Sequence, residues 1–188
     1  MKDLKFFTVL SMFLFIGTVA IGQGKTTETK MVGGAEMYPT KNIIENAVNS
    51  KDHTTLVAAV KAADLVEILK SEGPFTVFAP TNAAFEALPD GTVETLLKEE
   101  NQKQLQAVLT YHVLAGDYKA ADIVAAIKEG DGKAKFTTVN GAEVWAMMEG
   151  DKVKLKGAAG NVATVNIADV NQSNGVIHVI DAVILPSK

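Results

Sequence analysis

Three histidines and four serines are the residues beyond the first two dozen positions that could act as metal ligands or nucleophiles. His53, His112 and His178 lack the H-x-x-x-H or H-E-x-x-H spacing of helical zinc sites. No serine lies in a G-x-S-x-G nucleophile elbow, and the chain has no cysteine. We therefore expect no metal, no cofactor and no catalysis, with convergence of the three histidines from separate elements as the alternative. The serines are Ser50, Ser71, Ser173 and Ser187.

His178 stands inside the run NGVIHVIDAVILP, from Asn174 to Pro186, which otherwise consists largely of β-branched and aliphatic residues. The run is too short for a typical helix, and its composition predicts a strand that is buried on both faces. The histidine is then either a hydrogen-bonded core residue or a residue that performs chemistry.

The acidic residues in turns and on helices, and the single tryptophan, are weaker evidence for a functional site. Asp131 and Asp151 lie in glycine turns without the D-x-D-x-D-G pattern of a calcium loop, which predicts solvated turns. The neighbouring pair Glu99 and Glu100 is typical of a solubilising helix surface. We expect Trp145 to lie in the core, because tryptophan is highly buried on average.

The N-terminal segment has the parts of a secretory signal peptide. Lys2 and Lys5 precede an apolar run from Phe6 to Ile16, and small residues follow. We expect residues 1–22 to be removed on export, with an uncleaved membrane anchor as the alternative. Residues 23–37, rich in Thr, Lys and Gly, predict a flexible linker, and residues 38–187 predict one domain without a stable membrane span.

Charge excludes one class of partner. The 188-residue chain has a formal net charge of -4, and its basic residues are all lysines. Arginine is the residue that most often forms paired hydrogen bonds to phosphate groups and to the edges of guanine bases. An acidic chain without arginine is therefore a poor nucleic-acid binder.

The periodicity changes from helical to alternating along the domain. Residues 43–72 have apolar stripes at helical spacing, with Asp52 and Asp64 as expected helix starts. FTVFAP predicts a strand, and Thr81 is expected to cap the helix that follows it. From Lys133 onward, strands are predicted around turns at Asn140-Gly141 and Gly150-Asp151, where Val153 and Leu155 alternate with lysines. Helices first and strands last indicate an α+β fold.

Three separated stretches together resemble the fasciclin domain. FTVFAPTNAAF (Phe75–Phe85), TYHVL (Thr110–Leu114) and the run that contains His178 resemble the family's first signature block, its Tyr-His block and its second signature block. The resemblance implies a wedge of β-strands packed with a cluster of short helices, in secreted or surface-anchored proteins linked to adhesion. In the closing block it favours a hydrogen-bonded core role for His178.

The resemblance also implies adhesion residues. Asp169-Val170 matches an Asp-Ile pair that some fasciclin domains present to integrin-type receptors, and Tyr111-His112 matches a second adhesion block. Asp169 is predicted to lie in a polar connection between two strands. It either binds a partner there or only organises the turn through its own backbone.

These residues predict a non-catalytic adhesion or matrix-binding module that is secreted, periplasmic or associated with the cell surface. Its expected partners are surface or matrix proteins or glycans, and we expect a monomer without nucleic acid, metal or cofactor. The alternative function is a small-ligand or glycan-binding accessory domain of the cell envelope.

Overall fold

The computed structural model describes residues 28–187, so the expected signal peptide lies outside the described residues. Within that range the helices are α1 (Ile43–Ala47), α2 (Thr54–Ala62), α3 (Val66–Lys70), α4 (Asn82–Glu86), α5 (Thr92–Leu96), α6 (Gln102–Tyr111) and α7 (Ala120–Glu129). Two short 3₁₀ helices, Lys51–His53 and Glu99–Asn101, precede α2 and α6. None of these helices has the length and hydropathy needed to cross a membrane.

The strands form one hairpin and one large sheet. They are β1 (Lys30–Val32), β2 (Ala35–Met37), β3 (Phe75–Pro80), β4 (Val113–Ala115), β5 (Lys133–Thr137), β6 (Glu143–Glu149), β7 (Lys152–Lys156), β8 (Val162–Gln172) and β9 (Gly175–Ile180). The sheet order is β4-β3-β9-β8-β7-β6-β5, with β3 and β9 parallel and the other neighbours antiparallel. The α+β prediction is confirmed, as are the turns at Asn140-Gly141 and Gly150-Asp151.

Strand β9 is buried along its whole length and separates two apolar cores. Ile177 and Val179 face the core beneath α1, α2 and α6. Ile180 belongs to the core beneath α7, which also contains Phe78 of the neighbouring strand β3. The closing run of β-branched residues is therefore buried on both faces, as its composition predicts.

The hairpin β1-β2 occupies residues that the sequence assigns to a linker. Val32 and Met37 belong to the first core, and they are 4% and 3% exposed. These two apolar side chains anchor the hairpin to the helical side of the domain. The packed unit therefore extends on its N-terminal side to at least Lys30.

Trp145 does not lie in the core, contrary to expectation. Its neighbours Val144 and Ala146 point into the second core and are fully buried. Because successive strand residues face opposite sides of a sheet, Trp145 lies half-buried on the outer face of β6.

The helix starts follow the sequence only in part. Thr81 caps α4, and its hydroxyl oxygen accepts a hydrogen bond from the backbone N–H of Ala84. Asp52 does not cap α2, because it lies within the 3₁₀ helix that precedes α2; the Oδ1 of Asn82 accepts a hydrogen bond from the N–H of Thr55 instead. Asp64 lies before α3 with φ +58°, and the backbone of Leu65 takes the N-cap position.

Asn174 joins the turn between β8 and β9 to the helices. Its Oδ1 accepts a hydrogen bond from the N–H of Ile43 at 3.1 Å. Its Nδ2 donates to the carbonyls of Leu69 and Ser71, both at 2.8 Å. The side chain is 6% exposed, so one amide fixes α1 and the end of α3 against the closing hairpin.

Asn174→Ala should lower the free energy of unfolding by about 2–3 kcal/mol, because it leaves buried backbone groups without partners. Urea unfolding measures this loss. The matched control is Asn49→Ala, which removes an exposed amide that bonds only the Glu45 carbonyl and should change stability by less than about 0.5 kcal/mol. Equal losses in the two variants would contradict the anchoring role of Asn174.

Candidate functional site

Asp169 lies within strand β8, at an irregularity in its pairing with β9, rather than in a connection between strands. The register shifts between Ile167 and Val170, and Asp169 adopts φ +54°. Its Oδ1 accepts a hydrogen bond from the backbone N–H of Ala120 at 2.7 Å. The carboxylate therefore fixes the first residue of α7 while its side chain stays half-buried.

His178 lies directly beneath this bulge and is fully buried. Its Nδ1 accepts a hydrogen bond from the N–H of Asp169 at 3.3 Å, and its Nε2 donates to the Tyr118 carbonyl at 2.8 Å. The ring also stacks on Phe78, with 5.8 Å between the ring centroids. Burial lowers the pKa of His178, so the ring is neutral with its proton on Nε2. Both nitrogens are occupied by backbone groups, which supports the core role.

Polar side chains surround Asp169 on the surface. Lys119 forms an ion pair with Asp117 at 2.9 Å and donates a hydrogen bond to Asn171 at 2.7 Å. Lys30 donates to the carbonyl of Ala168 at 2.7 Å. These residues, together with Asp169, form the Asp169 patch, a surface of mixed charge.

The other three expected adhesion residues have no such exposure. Val170 belongs to the first core and is 1% exposed. The Tyr111 hydroxyl donates to the Glu143 carbonyl at 2.6 Å and accepts from the N–H of Ala158 at 2.8 Å, and burial raises its pKa. These side chains hold the domain together, so Asp169 is the one of the four that a partner can reach directly.

His112 fastens the C-terminal segment to α6. Its Nδ1 donates to the Val108 carbonyl at 2.7 Å, and its Nε2 accepts from the N–H of Ile184 at 3.1 Å. Burial lowers its pKa from 6.5 to about 4. The bond from Ile184 requires the neutral ring, because a charged imidazole has no acceptor.

His53 lines an apolar cavity of about 70 Å³ on the helical side of the sheet. Its Nδ1 lies 2.9 Å from the Ser50 hydroxyl, and both residues are buried. Its Nε2 has no hydrogen-bond partner of good geometry. Burial lowers the pKa of His53, and the nearby Ala79 carbonyl opposes this shift only in part. Ser50 does not line the cavity, so this pair offers no accessible nucleophile.

The three histidines do not gather at one site, although His53 and His112 both line the cavity. Within residues 28–187, no group of three or more histidine, aspartate or glutamate side chains could hold a metal ion. His112 and His178 lie in different hydrogen-bond networks, each formed with the backbone.

Comparison with known proteins assigns the fold to a family. The fasciclin domain profile matches residues 51–186, and the chain belongs to the fasciclin family. Protein sll1483 of Synechocystis is 48% identical over 182 residues, which cover 96% of this chain and 94% of that protein. Human periostin is 33% identical over 144 residues, 76% of this chain and 16% of periostin.

A solved structure shares the fold. It is a FAS1 domain pair from the insect cell adhesion molecule fasciclin I, with a TM-score of 0.70 at 17% identity. The match covers 79% of this chain and 52% of that one. The resemblance read from the three sequence blocks is thereby confirmed, and the comparisons indicate no enzyme family.

Stability should fall as the pH drops from about 6.5 to about 4, because the folded protein holds the pKa of His112 at about 4. The unfolded chain binds this proton near pH 6.5, so the stability that the neutral His112 contributes is fully present above that pH. It is lost progressively until the folded histidine also titrates, and a shift of this size corresponds to about 3 kcal/mol.

Urea unfolding of the wild type and His112→Asn between pH 7 and pH 4 tests this linkage. The variant cannot titrate at this position, so its stability deficit should be largest at pH 7 and should shrink toward pH 4. Comparing the two proteins at each pH cancels the titration of the carboxylates. A deficit that stays constant over this range would contradict the assignment.

Proposed function

We propose that this chain is an exported, non-catalytic module for adhesion or matrix binding at the cell surface. Membership of the fasciclin family carries the proposal, since a solved domain pair with this fold belongs to a cell adhesion molecule. The chemistry of the described residues is consistent with it, because their histidines are buried and His112 and His178 bond backbone groups.

The Asp169 patch is the proposed contact surface. The carboxylate accepts a hydrogen bond from the N–H of Ala120, and Lys119 and Lys30 bond to Asn171 and Ala168 near it on β8, so a partner meets charged groups that already have partners within the domain. Preorganised charges of this kind favour specificity, because little side-chain freedom is lost on binding. The expected partners are surface or matrix proteins or glycans.

Asp169→Asn should reduce adhesion several-fold with little change in stability. The asparagine oxygen can still accept from the Ala120 N–H, and asparagine tolerates the left-handed backbone at this position. The measurement is retention of cells on surfaces coated with the secreted protein, alongside thermal unfolding of each variant.

Asp64→Asn is the matched control, because Asp64 also has a positive φ but lies beside α3 on the helical side. It should retain cells as well as the wild type does. If Asp169→Asn also retains them fully, the patch is not the contact surface. If the wild type retains no more cells than an albumin coating, the adhesion function itself is wrong.

The cavity beside His53 favours a second candidate function, binding of a small apolar ligand. Its lining is almost entirely aliphatic and aromatic, and Nε2 of His53 offers one unpaired polar atom. A dry apolar cavity of about 150 Å³ can bind benzene, so a cavity of about 70 Å³ has room for a smaller molecule. A ligand with an alkyl body and a single hydrogen-bonding group matches both features.

Titration of the ¹⁵N-labelled protein with 1-propanol should shift the amide signals of the cavity residues to saturation. Ala47 lines the cavity, so Ala47→Leu should fill part of it and abolish these shifts. Shifts that persist unchanged in the folded Ala47→Leu variant, or that never saturate, would exclude a binding role for the cavity.

A further inference from the structure

The outer face of β5, β6 and β7 carries five lysines around a single tryptophan. Alternation places these side chains on the side of the sheet opposite to the buried Val144, Ala146 and Leu155. We call this surface the lysine–tryptophan face, and its members are Lys133, Lys135, Trp145, Lys152, Lys154 and Lys156.

The strand register places lysines directly on both sides of the indole. Trp145 is opposite Lys135 on β5 and opposite Lys156 on β7. The Nζ atoms of Lys133 and Lys135 lie 5.3 and 5.9 Å from the centroid of the indole ring. The tryptophan is thus the centre of a cationic surface rather than an isolated exposed side chain.

The face has the opposite charge sign to the chain as a whole. It contains five of the eighteen lysines, although the chain has a formal net charge of -4. Glu143 pairs with Lys135 at 2.7 Å, and Glu149 pairs with Lys154. Within the described part of the chain, Lys133, Lys152 and Lys156 have no ion-pair partner.

Protection of a sheet edge explains only part of this pattern. Strand β5 is at the edge of the sheet, where lysines commonly prevent pairing with other chains. Strand β7 is paired on both sides, so its three lysines protect no edge. A half-buried tryptophan on the outer face also contributes nothing to edge protection.

We propose that the lysine–tryptophan face binds an acidic polysaccharide. The apolar face of a sugar ring would stack on the indole of Trp145 and displace the ammonium groups of Lys133 and Lys135 from the ring. The carboxylate or sulfate groups of neighbouring sugars would pair with the displaced Lys133 and with Lys152 and Lys156. Adjacent strands are about 4.8 Å apart, which is close to the length of one sugar in a polymer. The inference rests on the proposed matrix-binding function and names a partner class for it.

Other polyanions fit the face less well. An extended acidic peptide gains affinity by backbone pairing, but β6 and β7 are already paired on both sides, so it could pair only with the edge strand β5 and would then lie beside the face rather than over Trp145. Nucleic acid carries a much denser charge, and a net negative chain without arginine is a poor match for it. A polymer with apolar ring faces and spaced carboxylates uses both the indole and the lysines.

Titration of the full secreted protein with alginate oligosaccharides tests the proposal. Trp145 is the only tryptophan, so its fluorescence reports directly on this face. The emission should change to saturation with alginate but not with dextran of the same length. Added salt should weaken the binding, because exposed charges are screened.

Calorimetric titration with the same alginate oligosaccharides then compares matched variants. Lys133→Gln/Lys156→Gln should lower the affinity by about tenfold or more, since both lysines would contact the polymer. Lys98→Gln/Lys103→Gln removes the same charge from exposed positions away from this face, one before the 3₁₀ helix Glu99–Asn101 and one in α6, and should bind normally. Trp145→Phe should bind more weakly than the wild type at unchanged thermal stability.

Several outcomes would overturn the proposal. These are equal losses in the two double variants, equal binding of dextran, absence of any binding, and tighter binding of polyglutamate, oligothymidylate or anionic vesicles.

Cell retention by the same variants distinguishes the inference from the proposed function. If Lys133→Gln/Lys156→Gln loses alginate but retains cells, the adhesion surface is elsewhere. If the wild type binds alginate but retains no cells, the adhesion function fails and the glycan site remains.

Discussion

The fold depends on the burial of strand β9 on both faces. This strand pairs with β3 and β8 and separates the two apolar cores, so none of its residues is exposed to solvent. A polar side chain on such a strand requires partners from other elements. His178 obtains them from Asp169 on β8 and from Tyr118 before α7. The irregular pairing of β8, the left-handed backbone at Asp169 and the attachment of α7 are therefore linked to a single buried imidazole.

The same requirement explains why several conspicuous residues are structural. Tyr111 and His112 adjoin each other where α6 gives way to β4, and each bonds backbone from distant segments. A buried phenol or imidazole without partners would cost about 1–3 kcal/mol, so these bonds account for the residue types without any reference to a partner protein. The two surfaces proposed as partner contacts, the Asp169 patch and the lysine–tryptophan face, do not include these residues.

Local sequence signals predicted the elements better than their long-range relations. The cap at Thr81, the turn at Asn140-Gly141 and the buried closing strand all follow from residue types within a few positions. The bulge at Asp169 depends on the register of β8 against β9, which no local pattern encodes. The cap of α2 comes from Asn82, 27 residues away, and the anchoring amide of Asn174 bonds segments more than 100 residues away. For Trp145, the average burial of tryptophan predicts a core position, whereas alternation with the buried Val144 and Ala146 places it on the outer face.

The positive φ of Asp169 bears on how sequence motifs in this family are inherited. A left-handed backbone position accepts glycine, asparagine and aspartate far more readily than other residues, whatever the surface around it does. The bond to the N–H of Ala120 narrows that choice further, because glycine has no side chain with which to accept it. A lineage that never used this carboxylate for adhesion would still retain an acid or amide here. An acidic residue that recurs at this position among relatives would therefore reflect the backbone conformation of strand β8. Evidence for a shared receptor contact would have to come from the exposed residues around it.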